Sequence, residues 1–575
     1  MQDDLHRDGR REFPLRHVGI GLALAVGCSR PTAIAQDAEV AIADAGSSAA
    51  EALLQRYARD GGAAARRLET QCDDRSAYLG LRRNAAASLS AWRGWMGFPA
   101  EAAYGPEVGI QEAGGSIGTL DRTMQSHDCD AVRRAAGNMR AAFVASESVA
   151  SRLDVPLAAV GQALSDATYR LGQTVLESTA YVPEADDAAF ADVSGFLDFV
   201  EQGVRALDLD VTADLAPLLR LRSATTLADV TDRAAIVRAA ATLGTSIRRA
   251  LRGRGITTTL MYRPLRDAPD IGPLTLPKPA LPVDPQRAEL GRKLFFDRRL
   301  SARQARSCAS CHQPARAYAD GLVAPASLEP GTTLHRNTPS LFYAPVEALL
   351  TWDGRVRTAD RQALMVLHTR AEMGTTDEEL ARVVSSDPSY ADGFRAAFKD
   401  GVTPHDIGVA LASFEASELV PGSAPIDRFA RGEDAALSPD GRAGLDVFAG
   451  KGRCARCHVP PVFSGSRPPD FTAPVFGVLG VPSAPGVASL DRDPGRGGGD
   501  FRVPTVRNVS RTGPYFHNGQ FATLEQVVDF YDRGGGRGLG LDVPNQDPEV
   551  RPLHLSTDEK RVLLVFLRES LTDAP

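Results

Sequence analysis

The chain of 575 residues contains no uninterrupted apolar stretch of about 18 residues, the length a membrane-crossing helix needs. A transmembrane span is therefore not expected. Basic charge is not in excess: the formal net charge is -7, which argues against a nucleic-acid partner. Cysteine is scarce, with 7 in the whole chain, so a disulfide-dense scaffold is excluded. Methionine is equally scarce, and none follows Met373. No thioether is thus available from the last third of the chain. No histidine occurs between Gln313 and Leu334, and Trp352 is the only tryptophan after Trp95. The remaining composition, 43% hydrophobic and 24% charged, is that of an ordinary globular protein, and the length suits two or three domains.

Against these absences stands Cys308-Ala-Ser-Cys311-His312, repeated as Cys454-Ala-Arg-Cys457-His458. Two thiols at this spacing can form thioethers with both vinyl groups of one haem, and the following imidazole then meets the iron. A redox disulfide or half a zinc site is the bland alternative for a single copy. Two copies behind an export signal favour two covalently bound haem c groups. That signal comprises Arg10, Arg11 and Arg16, an apolar run from Val18 to Gly27, and a small-x-small site at Ala33-Ile34-Ala35. A signal peptide over 1–35, cleaved after Ala35, places the mature chain in the periplasm. Arg10-Arg11-Glu12-Phe13 also reads as a twin-arginine signal, and Gly27-Cys28 as a weak lipoprotein site with Cys28 the candidate lipid anchor. Cys72 and Cys129 remain; in an oxidising compartment they form a candidate disulfide, with two separate buried thiols as the alternative.

The expected fold is mainly α. Residues 36–263 carry apolar side chains at three- and four-residue spacing, as in Leu53, Leu54 and Tyr57 or Phe196, Val200, Val204 and Leu207, and read as a helical bundle of unassigned role. Trp92 and Trp95 read as core anchors within it. A proline-rich linker, 264–283, follows. Beyond it, two c-type cytochrome domains, 284–435 and 436–575, have loop-rich haem pockets. Ser556-Thr557-Asp558-Glu559 predicts a capping box opening a final helix with Val562, Leu563, Phe566 and Leu567 inward. With no methionine after the second motif, the candidates for the sixth position on its iron are His517, His554, Tyr515 and Tyr531.

From about Asp284 to Leu571 the chain resembles the bacterial di-haem cytochrome c peroxidase and MauG superfamily. The residues that carry the likeness are Leu290-Gly291-Arg292-Lys293-Leu294-Phe295-Phe296-Asp297, the first haem motif, Arg336-Asn337-Thr338-Pro339, Trp352-Asp353-Gly354-Arg355 and Glu372-Met373-Gly374. They continue with the second haem motif, Val503-Pro504-Thr505-Val506-Arg507-Asn508-Val509 and Pro514-Tyr515-Phe516-His517-Asn518-Gly519. The resemblance implies a peroxide-reacting haem on His312, with Glu372 as distal acid-base residue and Gln362 as its polar neighbour. Val366 stands where the family has a distal proline. The histidine that blocks this haem in members needing reductive activation falls on Leu328, and His335 reads as a loop residue, so an open iron position is implied. The variable ligand of the second haem falls on Tyr531, as in the MauG-type branch. Trp352 matches the aromatic bridge between the haems, His517 a residue meeting a haem propionate, and Asn337 with the Thr512 and Pro514 carbonyls a Ca2+ site.

These expectations describe an exported di-haem peroxidase that takes hydrogen peroxide and receives electrons from a soluble cytochrome c or cupredoxin. Two alternatives stay open: a MauG-like oxidase that modifies aromatic residues of a protein substrate, or drives an oxygenase reaction, and a non-catalytic electron carrier.

Overall fold

The computed structural model describes residues 33–96, 116–150, 157–177, 186–256, 258, 272–398, 402–468, 471, 474–484, 486 and 489–574, with the side chains of 33–50, 89–96, 116–119, 122, 149–150, 157 and 186 not described. Residues 1–32 of the expected signal peptide, with Cys28, and part of the proline-rich linker lie outside these residues, as do the Trp92 and Trp95 side chains, while Ala33–Ala35 at the expected cleavage site open α1. Residues 46–575 form one compact unit, distinct from residues 1–45.

The first half is helical: α1 (Ala33–Thr70), α2 (Arg75–Met96), α3 (Ser116–Ser126), α4 (Cys129–Ala150), α5 (Leu157–Glu177), α6 (Asp186–Ala206), α7 (Thr212–Leu219) and α8 (Arg233–Gly253). Of the predicted inward positions, Leu54, Tyr57, Phe196, Val200, Val204 and Leu207 are buried, and Leu53 is half-buried against the same core. α5 is the central element, packed on α2, α6 and α8. It carries little charge toward solvent because almost every residue from Val160 to Glu177 is buried. Where charge does enter this interior it is paired: the buried Arg82 guanidinium bridges Asp121 and Asp192, and Tyr78 donates to Asp121 at 2.6 Å.

Cys72, just after α1, is joined to Cys129, the first residue of α4. Closing a loop of 57 residues limits the unfolded chain more than the folded one. Cys72→Ser is expected to lower the unfolding free energy by about 2 to 5 kcal/mol, read as a lower urea midpoint with a steeper slope, because the uncrosslinked unfolded chain exposes more surface.

The second half begins with α9 (Pro285–Phe296), opened by the Asp284 side chain accepting the amides of Gln286 and Arg287. α9 lies along α11 (Pro404–Glu418), which also packs on α10 (Ala359–His368). The approach is close enough that a Cβ at Gly291 would collide with the Ala410 carbonyl, which explains the glycine in the Leu290–Asp297 motif. α12 (Pro439–Ala449) packs on α14 (Thr557–Val565), while α13 (Leu524–Arg533) stands after the Pro514–Gly519 loop. The predicted capping box is present: Ser556 accepts from the Glu559 amide, and the Glu559 carboxylate accepts from the Ser556 amide at 2.7 Å. Val562, Leu563, Phe566 and Leu567 are buried.

Strand is minimal among the described residues, one antiparallel pair of β1 (Phe476–Gly477) with β2 (Phe501–Arg502), in which Phe476 faces Arg502. Long loops hold their shape by isolated bridges such as Gln313 with Ala319 and Leu350 with Val356. One hydrophobic core runs without a break from Leu54 through α5, α6 and α8 to Phe429, Phe448, Ala455 and Phe566. The N-terminal helices therefore share their interior with the segment that carries the second haem motif. A second core, around Leu294, Phe394 and Phe414, backs the first motif.

Candidate active site

The first motif is a single helical turn, Cys308–Cys311, after which the chain bends away at His312. The bend is fixed because His312 Nδ1 lies 3.0 Å from the Tyr318 carbonyl, committing that nitrogen and leaving Nε2 as the ligand atom. His458 repeats the device, its Nδ1 lying 2.9 Å from the carbonyl of Pro504 in the Val503–Val509 motif. Arg507, three residues on, is fully buried, paired with Asp427 at 2.8 Å and donating to the Pro461 carbonyl, which anchors the strap that supplies Pro504. Burial holds both imidazoles below the usual histidine range, His458 at about 4, so each is the neutral base that iron requires.

Both motifs open into one cavity of about 1040 Å³ with a mostly apolar wall. All four motif cysteines are free, and burial pushes the thiols of Cys308, Cys454 and Cys457 up to about 12. Among the described residues no group of three or more His, Cys, Asp or Glu converges as a metal cage. Free vicinal thiols, a neutral imidazole with its second nitrogen engaged, and an adjoining apolar cavity fit covalent haem. They do not fit a structural zinc ion or a redox disulfide.

On the wall near the first motif lie Gln362, Ala363, Met365 and Val366 of α10, with Glu372 in the turn after that helix. That turn is pinned from three sides. Leu328 N donates to the Ala371 carbonyl at 2.7 Å, Ala302 N to the Met373 carbonyl at 2.8 Å, and Gly374 N to Thr369. Gly374 has φ of 62°, the left-handed conformation that lets the chain leave immediately after Glu372. Burial raises the Glu372 carboxyl above its ordinary range, against the pull of the Arg355 and Arg306 guanidiniums. A carboxyl so placed holds its proton to a higher pH than a solvated one, which suits an acid-base group. Leu328, where an inhibitory histidine would stand, contacts the same turn through its backbone, and His335 sits on the exposed rim of the cavity.

Of the four candidates for the second iron, His554 is exposed and does not line the cavity. Tyr515 lines it but donates its hydroxyl to the Val509 carbonyl at 3.0 Å. His517 is stacked on Phe501 at 3.6 Å, and its Nε2 faces Asp491 at 3.3 Å. Tyr531, on α13, faces the cavity beside Cys454 and Cys457, and its part exposure is to that cavity. Burial, with those sulphurs second, raises its phenol above the ordinary tyrosine range.

Trp352 is on the wall shared by both motifs, its indole donating to the Asn337 carbonyl at 2.8 Å and packing edge-on to His517 at 6.4 Å. Asn337, Thr512 and Pro514 line the same cavity. The Asn337 amide nitrogen donates to the Leu322 carbonyl at 2.6 Å.

Two residues on this wall had no sequence signal: the buried Arg502, ion-paired with Glu347 and donating to the Thr351 carbonyl, and Glu415 of α11. Glu415 is 4% exposed, its Oε2 has no hydrogen-bond partner, and burial lifts it to about 8. Because the folded state keeps this proton while the unfolded state loses it above about 4.5, stability falls as pH rises from there toward 8. The slope is at most about 1.4 kcal/mol per pH unit. Urea unfolding of Glu415→Gln between pH 5 and 8 is expected to show a distinctly shallower loss than the parent.

Residues 285–435 match the family model described as di-haem cytochrome c peroxidase. The chain is 33% identical over 312 residues to the cytochrome-c peroxidase IdrP2 of Denitromonas iodatirespirans, covering 50% of this chain and 82% of that one. It is 33% identical over 308 residues to the methylamine utilization protein MauG of Methylorubrum extorquens, covering 53% and 83%. With the cytochrome c551 peroxidase of Pseudomonas aeruginosa it shares 33% identity over 309 residues, covering 51% and 85%. Identity at this level across more than four fifths of each relative, on a chain whose two attachment motifs meet at one cavity, shows the family: this protein belongs to the di-haem cytochrome c peroxidase and MauG family, whose members carry haem c.

Proposed function

We propose that this chain is an exported di-haem peroxidase that reduces hydrogen peroxide at the His312 site with electrons drawn from a soluble cytochrome c or cupredoxin. The observation that carries the reading is Glu372, a part-buried carboxyl of raised proton affinity fixed on the wall beside the first attachment motif. The haems, when bound through Cys308, Cys311 and His312 and through Cys454, Cys457 and His458, would supply the redox-active iron and the electrons for peroxide cleavage. The chain's residues handle the protons. Glu372 takes the proton from the inner peroxide oxygen and returns it to the outer one, so that the outer oxygen leaves as water. Gln362 and the Arg355 and Arg306 guanidiniums steady charge as the bond lengthens. Two further protons and two electrons complete the second water. Trp352 offers the shared wall an aromatic route between the two sites, and His517 meets a propionate. Asn337 with the Thr512 and Pro514 carbonyls would hold calcium through oxygen alone.

The MauG-like reading, oxidation of aromatic residues on a partner protein, draws support from Tyr531, since a phenolate favours oxidised iron. Steady-state turnover with reduced cytochrome c and hydrogen peroxide separates them. Sustained turnover that Glu372→Gln removes supports the peroxidase. Absence of turnover, with peroxide-dependent change in a partner protein instead, supports the second reading.

A further inference from the structure

The N-terminal helices lie outside the matched family segment, yet they touch the second haem motif through a short chain of contacts. α8 begins at Arg233, and its first amides need acceptors that the helix cannot provide. Asp232, the N-cap residue, accepts the Ala235 amide through its own side chain, and α12 supplies a second acceptor: Asp446 accepts from the Asp232 amide at 2.8 Å and from the Arg233 amide at 2.9 Å. A carboxylate from the haem-bearing half thus caps a helix of the N-terminal half, where the helix dipole also favours it. The Arg233 side chain, 2% exposed, returns the contact. Its guanidinium donates to the Val175 and Leu227 carbonyls at 2.9 and 2.6 Å and packs against Gly450, where even a Cβ would come within 3.2 Å.

Gly450 opens the turn that leads from α12 into the second motif. Its amide is held by the Asp446 carbonyl at 2.8 Å, and its own carbonyl accepts from Arg453, whose φ of 57° turns the chain into Cys454. On the other side of this turn α5 packs against Cys454–Arg456, and Ala455 is fully buried in the core shared with the N-terminal helices. The attachment turn of the second haem is therefore gripped by α5 and α8 together.

We propose that the N-terminal helices are a positioning element for the second haem, acting through the Asp446 and Arg233 clamp on residues 450–453. Asp446 and Arg233 are positioning residues: they act through the backbone that presents Cys454 and His458. The inference rests on the haem reading of the second motif but not on Tyr531 as its ligand.

The test uses the full-length, haem-loaded protein and three variants. Asp446→Ala removes the acceptor that ties α12 to the start of α8 and leaves the Asp232 cap in place, Asp446→Asn keeps an acceptor without the charge, and Arg238→Ala removes the ion pair with Asp434 and the cation-π contact with Phe429 elsewhere on the same interface. Hydrogen exchange of the 450–458 peptide and the EPR and absorption signals of each haem are measured. Asp446→Ala is expected to accelerate exchange in 450–458 at least tenfold and to shift or broaden only the second haem's signals, with Asp446→Asn intermediate. Arg238→Ala should lower the melting temperature while leaving those signals in place. If Asp446→Ala does not fold, the Asp446→Asn result decides alone. Unchanged second-haem signals and exchange in a folded Asp446 variant, or equal changes at both haems, overturn the proposal. A parent spectrum without phenolate features would contradict Tyr531 ligation and leave this test standing.

Discussion

Replacing Glu372 with Gln is expected to lower kcat/KM for hydrogen peroxide by about 100- to 10,000-fold, the range in which a positioned acid-base group contributes. Gln keeps the shape of the side chain, so the turn held by Leu328, Ala302 and Thr369 should persist, with haem content and melting temperature unchanged. The pH profile of the parent carries a second signature. Burial raises this carboxyl, so the acid limb of kcat/KM should fall at a pH above the ordinary carboxylate range and disappear in the variant. Equal loss in Glu372→Gln and Gln362→Ala, with no change in the acid limb, would assign the effect to pocket shape rather than proton transfer.

The second large effect concerns Tyr531. A hard anionic oxygen stabilises the oxidised iron, and a thioether stabilises the reduced one. Tyr531→Met should therefore raise the midpoint potential of the second haem by on the order of 0.1 V or more, within the range that axial ligands command. Potentiometric titration followed in the visible spectrum reads it, and the first haem serves as the internal reference. A second haem that titrates at the same potential in parent and variant would show that Tyr531 is only a neighbour.

Much of this arrangement was legible because it is local. The two Cys-x-x-Cys-His motifs, the Ser556 capping box and the apolar stripe of α6 each depend on residues within one or two turns of each other. The roles expected of Glu372 and Tyr531 came from the resemblance to the di-haem family rather than from local pattern. What the sequence hid depends on long-range packing. Glu415 reads as one acidic residue among several on α11, and only the tertiary fold leaves its Oε2 buried without a partner. Arg502 reads as a surface base until Glu347, far away in the chain, is placed against it. The clamp at Asp446 was invisible for the same reason: a helix N-terminus and the carboxylate that caps it are more than 200 residues apart, and no periodicity records that meeting. The proline-rich segment suggested a separation of interiors, whereas the core is continuous across it because α5 and α8 offer apolar faces to α12 and Ala455.

The most direct measurement is the EPR spectrum of the fully oxidised protein, before and after hydrogen peroxide, with no prior reduction. Two unlike haem sites predict one high-spin ferric signal that peroxide abolishes at once, from the His312 site, beside one low-spin signal altered by Tyr531→Phe. Two low-spin signals that ignore peroxide until an electron is added would contradict it, and would point to a side chain such as Met365 or His335 closing the first iron.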